Sequence, residues 1–228
     1  GVELESSSAN SLWNLSLAYL LTGEFQQGWE YYEARFATKN FEDYTRPTVG
    51  SQPGALAECS RDSSNPLVVW TEQGIGDAIQ FGRYLPMLEA AGVDFVFMTR
   101  PSLLRLFREW FPNIAARIEE QPATTNEDDQ RQQIPLLSLP RLFKTDLASI
   151  PSVTPYMQTA VARTEALQVP DPPGGLSVGL VWASNPTNQA MYRNKSCPLT
   201  LLMPRLLDLI NLDLIDLHSL QFGSDADQ

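Results

Sequence analysis

Residues 67–84 read Leu67-Val-Val-Trp-Thr-Glu-Gln-Gly-Ile-Gly-Asp-Ala-Ile-Gln-Phe-Gly-Arg-Tyr84, and this stretch decides the fold. Four apolar residues in succession, Leu67–Trp70, predict a strand buried on both faces. Gly74-Ile-Gly76 marks a tight turn, and a helix opens at Gly76 with Asp77 in its first turn. A strand that enters a helix through such a turn leaves backbone N–H groups and the positive helix end beside open space. That setting suits a polar ligand and places one carboxylate at its mouth.

Downstream, the periodicity predicts a helix over Gly76–Ala91, a strand over Phe95–Thr99 and a helix over Pro101–Trp110. Strand, helix and strand at this spacing form a βαβ unit with a parallel sheet. Pro101 fits the first turn of its helix, whereas Pro86 kinks the earlier one, with Gly82 four residues before it easing the crowding. Ala115–Glu119 is expected as a short strand, Gln121–Gln133 as an exposed acidic loop, Ile134–Leu139 as a return to the sheet and Met157–Gln168 as a helix. Val169-Pro-Asp-Pro-Pro-Gly-Gly175 is the clearest linker; beyond it come a strand at Leu176–Trp182, a helix at Leu199–Ile210 and a strand at Leu214–Leu220.

Upstream, Leu12, Leu15 and Tyr19, then Phe25, Trp29 and Tyr32, repeat at helical spacing on either side of Thr22-Gly23. They predict a helical hairpin, with Gly28 where the second helix packs closely on the first. Residues 37–66 are polar and rich in proline and glycine, as expected of a linker. The expected domains are therefore a hairpin over 1–40, a linker over 41–66, a first α/β domain over 67–168, a linker over 169–175 and an incomplete second α/β domain over 176–228.

The chain has 228 residues, 43% of them hydrophobic, enough for a substantial core. A net charge of -11 argues against nonspecific nucleic-acid binding, which needs a basic face. Two distant cysteines and a single histidine, His218, argue against a disulfide framework, a zinc site or a multi-histidine metal centre. No run of about 18 apolar residues suggests a membrane span, and the N-terminus lacks a signal-peptide pattern. A cytoplasmic location is expected. The missing initiator methionine and the ending just after a strand-like run suggest a piece of something longer.

Five segments carry a resemblance: Gly23-Glu-Phe-Gln-Gln-Gly-Trp-Glu-Tyr-Tyr-Glu-Ala-Arg35, Trp70–Phe81, Pro135-Leu-Leu-Ser-Leu-Pro140, Ile150-Pro-Ser-Val-Thr-Pro-Tyr156, and Gly179-Leu-Val-Trp-Ala-Ser-Asn-Pro186 with Ser219-Leu-Gln221. Together they resemble bacterial tetratricopeptide-repeat (TPR) proteins with a C-terminal glycosyltransferase-like region related to the heptosyltransferases. The resemblance implies the GT-B arrangement, two Rossmann-like domains, preceded here by a TPR-like hairpin. It implies a nucleotide sugar as co-substrate, a glycan or protein hydroxyl as acceptor, no metal and no resident cofactor. A protein partner at the repeat region is the alternative, with the α/β part as a noncatalytic platform.

On the same resemblance Asp77, after Gly76, matches the general base; its plainer role is to support the helix N-terminus. Glu72 and Gln73, at the strand end where open sheets make ligand contacts, either bond an acceptor or satisfy turn backbone groups. Gly74 and Gly76 permit the turn geometry. Arg193 and Lys195, in the stretch from Asn185 to Lys195, match the cations that meet a donor diphosphate. The segment lining the nucleotide pocket falls beyond residue 228, so this piece alone is expected to transfer sugar poorly or not at all.

Overall fold

A computed structural model describes residues 2–38, 46–157, 175–184 and 189–221. The chain divides into two compact units, Gly1–Thr159 and Ala160–Gln228. No helix among the described residues is long and apolar enough to cross a membrane.

In the first unit two helices, α1 (Val2–Thr22) and α2 (Phe25–Tyr32), form an antiparallel pair that turns at Gly23, with φ of 87°. Gly28 packs on Leu20, where a Cβ would stand 2.6 Å from the leucine Cδ2. A tight turn over Glu33–Ala37 continues α2.

The sheet of this unit is mixed with helices and entirely parallel, compatible with a Rossmann-like fold. Its strands are β1 (Leu67–Trp70), β2 (Phe95–Thr99), β3 (Ile118–Glu120) and β4 (Gln133–Pro135), in the order β3-β2-β1-β4. Every residue of β1 is buried, as its uninterrupted apolar run requires of a central strand with both faces covered. The connecting helices are α3 (Ile75–Phe81), α4 (Leu85–Ala90) and α5 (Pro101–Trp110), and α6 (Leu139–Leu142) follows β4.

The two faces of the sheet bury separate clusters. Leu67, Val69, Phe95, Phe97, Ile118 and Ile134 pack with the helices and with Tyr32, whereas Val68, Trp70 and Met98 pack with Phe36. The chain from Tyr32 to Phe36 therefore passes from one side of the sheet to the other, carrying Arg35 across between them.

Several elements differ from their expected form. The helix expected over Gly76–Ala91 is two helices joined by a 3-10 turn at Gly82–Tyr84, with Pro86 in the first turn of α4. Pro86 has no N–H to offer the Gly82 carbonyl, so the chain restarts there instead of bending. The strand expected from Ala115 begins at Ile118, because a 3-10 turn opened by Pro112 occupies residues up to Arg117. The return at Ile134–Leu139 is a strand only to Pro135, after which the chain coils while remaining buried. The expected linker is no free tether: Thr38, Pro47, Thr48, Pro53 and Cys59 are buried, and Cys59 belongs to the main core. Of the helix expected over Met157–Gln168, residues 158–168 lie outside the described residues, as do 169–174 of the second linker.

The second unit contains parallel strands β5 (Leu176–Leu180) and β6 (Ile215–Ser219), with helices α7 (Gln189–Lys195) and α8 (Leu199–Asn211) between them. Gln221 clasps the end of β5: its Oε1 accepts from the backbone N–H groups of Trp182 and Ala183, at 3.0 and 2.9 Å.

Candidate functional site

Strand order reverses at β1. From it the chain proceeds to β2 and β3 on one side, then returns to β4 on the other. In open parallel sheets the crevice at the carboxyl ends of such a strand pair is the usual ligand seat. Here it lies between the turn after β1, residues 71–74, and the coil after β4, residues 136–138.

Side chains of the same chain fill it. Arg35, fully buried, donates from Nη2 to Glu72 Oε1 at 2.8 Å and to Ser138 Oγ at 2.9 Å. Its Nη1 donates to Glu33 Oε1 at 3.0 Å and to the Tyr32 carbonyl at 3.1 Å. Its guanidinium carbon lies 4.5 Å from the ring centre of Tyr32 and 4.0 Å from that of Phe36. Ser138 Oγ in turn donates to Glu33 Oε1 at 2.7 Å, and Gln52 Nε2 to Glu33 Oε2 at 2.8 Å.

Glu72 is thus an internal residue, sealed from solvent and unable to meet an acceptor in this conformation. Its Oε1 also accepts from the Leu137 N–H at 3.3 Å, while its Oε2 is buried with no hydrogen-bond partner among the described residues. Burial pushes its pKa up to about 7 against the opposing pull of Arg35.

The left-handed residue of the turn is Gln73, at φ 62°, and not a glycine. Its conformation is held from both ends: Arg100 donates to its carbonyl, and its Nε2 donates to the Tyr32 hydroxyl at 3.0 Å. Gly74 has an ordinary extended backbone with φ of -83°, and its reason for being glycine is different. A Cβ there would stand 2.9 Å from Asp77 Oδ2. Without it, the Gly74 N–H donates to that oxygen at 2.9 Å, which is how Asp77 caps α3. Gly76 faces open space, with nothing within 4 Å of an added Cβ.

Asp77 is half-buried; its Oδ1 takes no hydrogen bond among the described residues. Glu72, Gln73, Gly74, Gly76 and Asp77 thus share one turn, divided into a sealed residue and an accessible rim. Two cavities lie elsewhere in this unit. One of about 450 Å³ is lined by Gln26, Trp29 and Tyr31 of α2 with Arg141 and Lys144, and one of about 250 Å³ by Leu20, Trp29, Phe81, Tyr84 and Pro151 among others. Asp77 lines neither.

Arg193 and Lys195 belong to the second unit. Both are exposed, in the last turn of helix α7 and not in a loop; cations at that negative end are favoured by the helix dipole whatever else they do. Residues 185–188 lie outside the described residues. His218, in β6, stands 3.4 Å from Asp216 Oδ2. Among the described residues no group of three or more histidine, cysteine or acidic side chains could hold a metal ion.

The residues that sequence reading missed are Arg35, Glu33, Ser138, Gln52 and Arg100. Ser138 lies in the apolar run Ile134–Leu139, which signals its burial, but nothing in the local pattern of the other four separates them from surface polar residues, because their roles arise from contacts between distant segments. Fold and rim define an α/β protein with an accessible acid at the carboxyl end of its central strand. No family model, curated protein or solved structure matches the chain.

Proposed function

We propose that this chain is part of a nucleotide-sugar-dependent glycosyltransferase of GT-B type, preceded by a TPR-like hairpin, with Asp77 as the general base. The observation that carries the reading is the state of that carboxylate. One oxygen is fixed by the Gly74 N–H at 2.9 Å, the other takes no bond among the described residues, and bare Gly76 leaves room beside them. A free, positioned acceptor oxygen at the end of a central strand is what abstraction of a hydroxyl proton requires.

In the reaction, an acceptor oxygen attacks the anomeric carbon as its proton passes to Asp77 Oδ1. The bond from that carbon to the diphosphate breaks, and the nucleoside diphosphate leaves with the electron pair. Arg193 and Lys195 are the residues assigned to its charge. Gln73 keeps its side-chain oxygen for the acceptor, Gly74 and Gly76 leave room for its approach, and Glu72 serves from inside. The sequence resemblance supports the donor class.

The test is a panel of uridine, guanosine and adenosine diphosphate sugars against the full-length protein. A donor should raise the thermal unfolding midpoint and be turned over. Asp77→Asn should abolish turnover and leave donor stabilisation in place. If no nucleotide sugar at millimolar concentration stabilises the protein or is consumed, the transferase reading fails.

A second reading, a noncatalytic protein-binding platform, draws on the cavities. Both are walled by the hairpin, through Trp29, and neither by Asp77.

A further inference from the structure

The crevice between β1 and β4 holds one buried cation shared by two acids. Arg35 meets Glu72 at 2.8 Å and Glu33 at 3.0 Å, with the side chains of Arg35 and Glu72 both fully buried. Arg141 Nε stands 3.9 Å from the other oxygen of Glu33, beyond hydrogen-bond range. Among the described residues, the other charged or titratable groups around the cluster are Tyr32 on α2, Asp77 on α3, which acts on Tyr32, Arg46, 5.7 Å from the centre of the Phe36 ring, and Arg100, held on the Gln73 carbonyl. None of these forms an ion pair with Glu72.

The two oxygens of Glu72 are unequal. Oε1 accepts from Arg35 and from the Leu137 N–H, whereas Oε2 is buried with no partner among the described residues. A carboxylate with one oxygen stripped of water and left unbonded is costly, and a proton on that oxygen lowers the cost by removing the buried charge. Arg35 then has Glu33 as its counter-ion, and the cluster is neutral. The cluster also joins two bodies, since Glu33 and Arg35 end the helical hairpin and Glu72 and Ser138 belong to the coils at the sheet's carboxyl edge.

We propose that a proton on Glu72 fastens the hairpin to the sheet, and that its release to solvent above neutrality lets the hairpin lift and bare the crevice between β1 and β4. The fastener is independent of the transfer reaction and holds for a platform equally. Burial, which pushes Glu72 up to about 7, sets the range near neutrality.

Amide hydrogen exchange of the whole chain, read by mass spectrometry at pH 6 and pH 8 and corrected for intrinsic exchange, tests it. Opening of α1 and α2 should rise by about tenfold between the two values, with β1 and β2 still protected. Glu72→Gln, neutral at both values, should abolish the rise. Should that variant fail to fold, Glu33→Gln serves: it leaves Arg35 to Glu72 alone, which favours the ionised form, so the rise between the two values should shrink. Equal opening at both values, opening of hairpin and sheet together, or an undiminished rise in Glu72→Gln or in Glu33→Gln each overturns the proposal.

Discussion

Arg35 reaches 37 residues along the chain to bond Glu72 at 2.8 Å, and both side chains are closed to water. Through this contact the turn after α2 is tied to the loop after β1, where the sheet would otherwise be open to a ligand.

Removing the cation alone should be severe. Arg35→Met takes the shared donor from Glu72, Glu33 and Ser138 at once, and at pH 8, where Glu72 beside Arg35 is ionised, a loss of about 3–5 kcal/mol is expected in denaturant unfolding. The double variant Arg35→Met with Glu72→Gln should recover part of it at that pH, since no acid is then left at the sealed position. A double variant no more stable than Arg35→Met would show that packing of the guanidinium against Tyr32 and Phe36, and not charge, is what matters.

Stability should fall as pH rises through neutrality. The Glu72 value is about 7 in the folded protein against 4.5 for the free residue, so the folded state holds the extra proton between those values. Its contribution is fully present below pH 4.5 and lost as pH passes through about 7. Calorimetric midpoints from pH 5 to pH 8 should decline in the wild type and flatten in Glu72→Gln.

The opposite sign applies at acid pH. Hydrogen bonds from Arg131 hold the Asp129 carboxyl below its usual value of 3.8, so its contribution is present above pH 3.8 and disappears as pH falls through the lower folded value. Asp129→Asn should cost stability at pH 6 and leave that measured near pH 2 little changed, checked by urea unfolding at the two values.

Glycines 74 and 76 should separate cleanly. Gly74→Ala places a Cβ against Asp77 Oδ2 and should displace the cap, costing about 1 kcal/mol. Gly76→Ala meets nothing and should stabilise α3 by up to about 1 kcal/mol. If an acceptor approaches Asp77 closely, the Gly76 variant should lose transfer activity while gaining stability.

Gly82 faces the ring of Phe107, with Cε1 2.7 Å from an added Cβ. That ring is packed edge-on to Phe97, at 5.0 Å between centres, and stacked with Phe111, so it has little room to yield. Gly82→Ala should cost about 1–3 kcal/mol in thermal unfolding.

Much of the fold is legible in the chain itself. The apolar run Leu67–Trp70 and the stretch Phe95–Thr99 match strands to the residue, and Pro101 opens its helix as read. What misled was coil that is buried: residues 136–139, the latter part of the run read as strand, form a 3-10 turn and the start of α6. Apolar content reports burial, and only periodicity over a longer stretch distinguishes strand from coil. At the site, the position of Asp77 in the first turn of a helix is readable from Gly74-Ile-Gly76-Asp77. The strain at Gln73 is not, because a left-handed glutamine exists only where Arg100 and Tyr32 hold it.

The sequence by itself determined the central strand, the helix that follows it and the acid at their junction, because those depend on neighbours within a few residues. Tertiary structure alone decided that Glu72 faces inward while Asp77 stays at the rim. The difference rests on Arg35 and Ser138, brought from 37 residues before Glu72 and 66 after it, and local sequence cannot encode a counter-ion supplied from that distance.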